Sequence, residues 1–173
     1  MKFLSLFLIL ISLSSCASYF TRKSCESTNW YDYGQKVALE GRRLSGDQFI
    51  LDCQRADADL EESALDRGFK AGMAQYCIPE TVFQTGKNGR FFNEDMCSGG
   101  GLNSLRLQHR SGVFQYCEKS NGYSAGAKGI AYNKICPLDL EKSFIPEFNR
   151  GRKRYLNTVV SQNNSQINEL DRD

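Results

Sequence analysis

Apolar positions recur at helical spacing in three places along this chain, and each place ends in the same way. Leu65, Phe69, Gly72 and Tyr76 are spaced four, three and four; Leu105, His109, Gly112 and Tyr116 repeat that spacing, as do Phe144, Phe148, Gly151 and Tyr155. Residues at such intervals share one face of an α-helix, so three helices with equivalent stripes are predicted. Glycine inside a helix costs about 1 kcal/mol against alanine. Its return at one stripe position three times points to close helix contact there.

Around two of these stripes a longer repeat is visible. Gly72, Gln75, Tyr76, Cys77, Gly86, Gly89 and Asn93 return as Gly112, Gln115, Tyr116, Cys117, Gly126, Gly129 and Asn133, with Phe83 and Phe92 matched by Tyr123 and Tyr132. Cys97 closes the first copy and Cys136 the second. The stretches Gly86-Lys87-Asn88-Gly89 and Gly126-Ala127-Lys128-Gly129 read as tight glycine turns in loops. Neither leads into the Lys-Ser or Lys-Thr helix start of a phosphate-binding loop. Phe91-Phe92 and Ile130-Ala131-Tyr132 would return as short extended pieces, and Ser98-Gly99-Gly100-Gly101 separates the copies as a hinge. Upstream, a helix is predicted from about Trp30 to Arg43, with Thr28 or Asn29 as N-cap and Ser45-Gly46-Asp47 as its break. A short helix carries Phe49, Ile50 and Cys53, and Asp59 is expected to cap the helix of the first stripe. Ser143 is expected to cap the last helix, with Pro146 in its first turn. That helix runs to the end or near it, because Leu156, Val159, Val160, Ile167 and Leu170 keep a broken apolar stripe.

The fold class expected is mainly α: a small disulfide-stapled helical domain over residues 25–160, with helix plus glycine-turn units at 65–97 and 105–136. A long C-terminal helix follows, residues 161–173 forming its polar end or tail.

The first residues carry a different signal. Lys2 precedes the apolar run Phe3 to Ile11, too short to span a bilayer, and Leu13-Ser14-Ser15-Cys16 follows. This resembles a bacterial lipobox, which implies a signal peptide over 1–15 and a diacylglyceryl group on Cys16. Residues 16–24 would then be a lipidated N-terminus and linker. The competing reading is an ordinary secretory signal cut near Ala17. By resemblance to lipoprotein sorting, Ala17 favours the outer membrane and the periplasmic side. The membrane is thus the first partner expected, through the anchor.

Removing 1–15 takes away Lys2 and lowers the formal charge from +2 to +1, which gives no electrostatic case for nucleic acid. With Cys16 assigned to lipid, six cysteines remain: Cys25, Cys53, Cys77, Cys97, Cys117 and Cys136. An even number in an exported chain implies disulfides, and six cysteines can be paired fifteen ways. Equivalent units should pair equivalently, which favours Cys77 with Cys97, Cys117 with Cys136, and Cys25 with Cys53; the rival is Cys97 with Cys117. No CxxC pair and a single histidine leave no expected metal site or cofactor.

Candidate chemistry is sparse. Asp57, Asp59, Glu61 and Glu62 suit a helix start better than acid–base work or a calcium loop. His109 occupies a stripe position that is Phe69 and Phe148 elsewhere, which suits packing better than catalysis. Arg150, Arg152, Lys153 and Arg154 form a basic run that suits a solvated helix face or contact with anionic lipid or glycan.

The lipobox, Trp30 with Asp32 and Gly34, Cys53, the Gly-x-x-x-Tyr-Cys ending at Cys117, and Gly126, Gly129, Tyr132, Cys136 and Pro137 together resemble the bacterial lipoprotein family catalogued as domain of unknown function 2799. Phe144, Phe148 and Gly151 extend the resemblance. The extra copy from Tyr76-Cys77 to Cys97 departs from the family's single-unit pattern, and the family implies no activity or catalytic residue. The function expected is a non-catalytic, membrane-tethered scaffold or binding module of the bacterial envelope, with an envelope protein or glycan as partner. The alternative is a periplasmic enzyme such as a carboxylate-dependent hydrolase.

Overall fold

A computed structural model describes residues 19–99, 101–170 and 172 of the chain. Cys16 and the expected signal peptide lie outside the described residues. Within them every regular element is helical. A helix over 19–26 is followed by α1 (Trp30–Leu39), α2 (Gln48–Arg55), α3 (Glu62–Tyr76), α4 (Pro79–Lys87), α5 (Leu102–Tyr116), α6 (Lys119–Ala127) and α7 (Leu138–Leu170), with a 3₁₀ turn at Glu94–Met96. The fold is the small, mainly α, disulfide-stapled one expected, with the long C-terminal helix.

The chain forms two compact units, Met1–Cys77 with Asp95–Cys97, and Ile78–Glu94 with Ser98–Asp173. In the first, α1 packs along α3; in the second, α4 packs along α5 and α6 along α7. The three pairs are built alike. A Cβ on Gly34 in α1 would lie 2.9 Å from the Phe69 nitrogen in α3, and one on Gly122 in α6 would lie 2.7 Å from the Phe144 carbonyl oxygen in α7. Gly86 and Gly112 face each other's helix backbone in the same way, as do Gly126 and Gly151. Real Cβ contacts essentially never fall under 3.0 Å. Each pair is therefore in backbone-to-backbone contact, and only glycine permits it.

This contact corrects the expectation that both glycines of each stretch lie in a loop. Gly86 lies inside α4, and Gly122 and Gly126 inside α6; the helix penalty of glycine is offset by the close approach it allows. Only the second glycine of each stretch turns the chain. Gly41, Gly89 and Gly129 have φ of 71°, 69° and 77°, the left-handed conformation that glycine adopts without a Cβ clash. The Gly89 N–H donates to the Gly86 carbonyl at 2.9 Å and the Arg90 N–H to Thr85 at 3.1 Å, a Schellman ending. The stripe tyrosines lie over these turns, Tyr76 over Gly41, Tyr116 over Gly89 and Tyr155 over Gly129.

Several helix ends differ from expectation. Asn29 caps α1, accepting from the Asp32 N–H, but α1 stops at Leu39 because Gly41 turns left-handed. Asp59 does not cap α3: Ala58 and Leu60 pack on the core of Trp30, Ile50, Ala64 and Leu65, and the helix starts only after Glu61, which makes no side-chain cap bond. Ser143 does not cap α7 either. The Pro137 carbonyl accepts from the N–H groups of Leu140 and Glu141, so the helix begins at Leu138, and the Ser143 hydroxyl donates to the Leu140 carbonyl. Pro146 therefore sits inside α7, on its exposed side, where the lost bond faces water. Phe144 and Phe148, buried on the other side, hold that turn in the core with Val113 and Ala125.

Three disulfides join Cys25 to Cys53, Cys77 to Cys97 and Cys117 to Cys136, with Cα separations of 5.7, 5.6 and 5.6 Å. These are the pairs equivalent units call for, and the rival link of Cys97 to Cys117 is not made. Each bridge ties the residue leading into a short helix, α1, α4 or α6, to a residue ahead of its long partner.

Candidate functional site

His109 projects from α5, half-buried, and its Nε2–H donates to the Arg90 carbonyl at 2.8 Å. Its ring lies 5.9 Å from that of Phe92. Both contacts pin the 90–92 segment, which follows the Gly89 turn, so one ring nitrogen is committed to structure. The groove beside it is lined by Arg110, Val113, Phe114, Ile135, Pro137 and Asp139.

Among the described residues the carboxylate most shielded from water is Asp47, with its side chain 1 % exposed. Its Oδ1 accepts from the Tyr33 hydroxyl at 2.6 Å and the Ile50 N–H at 3.2 Å, and Oδ2 from Arg42 at 2.5 Å. Burial pushes this carboxyl up, but the bonds from Tyr33, Ile50 and Arg42 outweigh it and hold the group below its ordinary value. Burial and the bond to Asp47 in turn push the Tyr33 phenol up to about 12. A carboxylate that accepts from three donors and is held in its charged form this way is a helix cap anchored to Tyr33 and Arg42 rather than a base poised to take a proton near neutral pH. Asp57 takes a left-handed φ of 52°, which makes this acidic stretch a turn ahead of α3. Among the described residues no group of three or more His, Cys, Asp or Glu side chains is placed to hold a metal ion.

The basic run of α7 is different, because the fold adds an aromatic to it. Tyr123, from α6, lies at the Gly151 contact itself, its carbonyl oxygen being the atom a Cβ on Gly151 would strike first. Arg150 stacks its guanidinium 5.0 Å from the Tyr123 ring centre, a cation–π contact, and Arg154 donates to the Tyr123 hydroxyl at 3.0 Å. Arg150 also pairs with Glu147 at 2.6 Å. Arg152 turns the other way, donating to the Gly129 carbonyl and lying over Tyr155. The result is an open groove of about 800 Å³ lined by Tyr123, Arg150, Lys153, Arg154, Asn157, Thr158, Ser161 and Gln162. No carboxylate is in that lining. A second, more enclosed cleft between α4 and α6, with Lys87, Asn121 and Lys128 in its wall, holds about 180 Å³, below the range of roughly 300–1,000 Å³ usual for ligand sites. The groove beside His109, at about 400 Å³, falls within that range too, but sets Asp139 beside Arg110, so it is charge that distinguishes the α6–α7 groove.

Sequence reading found the four basic residues but not Tyr123, which lies far from them in the chain. It also treated the run as one set, whereas the fold sends Arg152 to the backbone and leaves Arg150, Lys153 and Arg154 on the groove. The six paired cysteines are structural, and Cys16 lies outside the described residues.

No curated protein and no solved structure matches the chain. One family does, described as a protein of unknown function, DUF2799, over residues 29–113 and again over 105–153. The first match opens at Asn29, the cap of α1, and the second closes just past Gly151, so the two together take in all three helix pairs. With most of its length covered in this way, the chain belongs to the DUF2799 family.

Proposed function

We propose that this protein is a bacterial envelope lipoprotein, held to the outer membrane by acyl chains on Cys16, whose helical domain is a non-catalytic binding module for an anionic envelope glycan. The observation that carries the binding reading is the α6–α7 groove, lined by three cations, of which Arg150 is paired with Glu147 and Lys153 and Arg154 have no carboxylate in the lining, and by five hydrogen-bonding side chains. Guanidinium and ammonium groups recognise carboxylate or phosphate substituents, and the Asn, Thr, Ser and Gln side chains suit sugar hydroxyls. Pre-placement of Arg150 and Arg154 on Tyr123 lowers the ordering cost of binding. The tether reading is supported by Lys2, the apolar run and Leu13-Ser14-Ser15-Cys16; among the described residues no helix is long and apolar enough to cross a membrane. Against the enzyme alternative stand the engaged oxygens of Asp47 and the committed Nε2 of His109.

The test has two arms. Mass spectrometry of the mature N-terminus should find acylated Cys16, and a free amine at Ala17 would end the tether reading. Retention of the detergent-solubilised protein on immobilised polygalacturonate should fall with salt, and should fall also in Arg150→Gln/Lys153→Gln/Arg154→Gln. Equal retention of that variant, or equal binding to neutral dextran, would remove the groove from the proposal.

A further inference from the structure

Beyond Tyr155, α7 continues to Leu170 with no buried residue. Leu156, Val160, Asn163, Ile167 and Leu170 follow one another at intervals of four, three, four and three. That is a heptad seam, with Val160 and Ile167 at the a positions and Leu156, Asn163 and Leu170 at the d positions. The four apolar members are 47, 57, 54 and 76 % exposed. We propose that this segment is a parallel two-stranded coiled coil, and that its partner is the same segment of a second copy of this chain.

Three observations select that occupant. β-Branched residues at a with leucine at d favour two parallel strands. Residues 157–168 contain no charged side chain, so two copies meet without like-charge repulsion, and nothing there would steer a charged partner. Asn163 sets the register: in a parallel, unshifted pair it faces its own copy and the two amides can hydrogen-bond, whereas a heptad slip sets it against Leu156 or Leu170 and buries it unsatisfied. The helix also needs support. Ten of the twelve residues in 157–168 are Asn, Ser, Thr, Val or Ile, all weak helix formers, and an all-polar or thinly apolar helix in water is unstable without ion pairs or a partner.

Two heptads are a short seam, and confinement of both chains to one membrane raises their effective concentration. To that extent the inference rests on the tether proposed above. It leaves the glycan groove free, since Lys153 aside, the groove uses Arg150, Arg154, Asn157, Thr158, Ser161 and Gln162, none of which is an a or d position. A dimer would therefore present two grooves.

The test is oxidative cross-linking of the full-length protein in its native membranes. Leu170→Cys should give a disulfide-linked dimer severalfold more abundant than Ser161→Cys, which lies off the seam, and adding Val160→Asp and Ile167→Asp should return it to the Ser161→Cys level. These positions are exposed, so circular dichroism should show the variants folded. Equal cross-linking at 161 and 170 would overturn the seam. A mixture in which Leu156→Cys joins Leu170→Cys in preference to either joining itself would overturn the parallel arrangement. The unsubstituted chain is the control for the tether: if it cross-links by itself, Cys16 is a free thiol, and the lipid reading fails separately.

Discussion

Alanine in place of Gly112 gives a sharp test of the backbone contact between α4 and α5, because two effects of known size oppose each other. Helix propensity favours alanine by about 1 kcal/mol in a helix interior. Against this, the new Cβ would lie 2.7 Å from the Lys87 nitrogen and closer still to the Phe83 carbonyl oxygen, where ordinary contact begins at 3.4 Å. Both obstacles are backbone, so no side chain can swing aside, and clearing the nearer one, the Phe83 carbonyl oxygen, requires the helices to part by about 1 Å. A gap of that order forfeits a quarter to a half of each dispersion contact along the pair, and overpacking of this kind costs up to about 3 kcal/mol. The net expectation is destabilisation by about 2 kcal/mol, some thirtyfold in the folding equilibrium. Urea unfolding with disulfides intact, followed by circular dichroism, measures it. Ser111→Ala, one residue away on the exposed face, is the comparison and should be neutral or slightly stabilising. A Gly112→Ala protein as stable as wild type would refute the backbone contact and return glycine to the status of a tolerated accident.

Asp47→Asn should destabilise at pH 7 by about 1–3 kcal/mol, since three donors lose a charged acceptor. The native carboxyl lies below its ordinary 3.8, so its stabilisation is present above that value and lost as pH falls through the lower folded one; the deficit should vanish in parallel unfolding curves at acid pH. Replacing Cys117 and Cys136 together by alanine frees a loop of 19 residues and should cost about 3 kcal/mol in the chain-entropy model, read as a shift of the urea midpoint. His109→Phe should change stability by no more than about 1 kcal/mol, because one bond to an otherwise accessible carbonyl is exchanged for ring packing on Phe92. A loss several times larger in the same unfolding assay would show that the imidazole bears more than that contact.

The long helices α3, α5 and α7 were legible because a stripe spaced four, three and four repeats itself, and period is the part of a sequence least disturbed by context. Helices α4 and α6 were not, since Gly86, Gly122 and Gly126 are turn formers by local preference and become helical only through the helix lying against them. A signal was nonetheless present: Gly34, Ala38 and Gly41 share the spacing of Gly122, Gly126 and Gly129, and that match identifies α1 as the equivalent of α6. The starts of α3 and α7 were misplaced for a related reason. Asp59 and Ser143 are good caps in isolation, but packing of Leu60 and the carbonyl of Pro137 decide where the helices begin. In the groove, the basic run was visible as charge, while the partnership of Tyr123 with Arg150 and Arg154 depends on the α6–α7 contact and has no local trace.

The disulfide connectivity carries a consequence for the order of assembly. Cys25 and Cys53, Cys77 and Cys97, and Cys117 and Cys136 are successive pairs, with no ring enclosing or overlapping another. With Cys16 withdrawn by the lipid proposed above, a chain delivered N-terminus first presents the mate of Cys25, Cys77 and Cys117 as the very next cysteine to appear, before any later thiol can compete. Of the fifteen pairings open to six cysteines, the native one is thus reached by the simplest rule of emergence, joining each odd thiol to its immediate successor, and no bridge has to be broken to make the next.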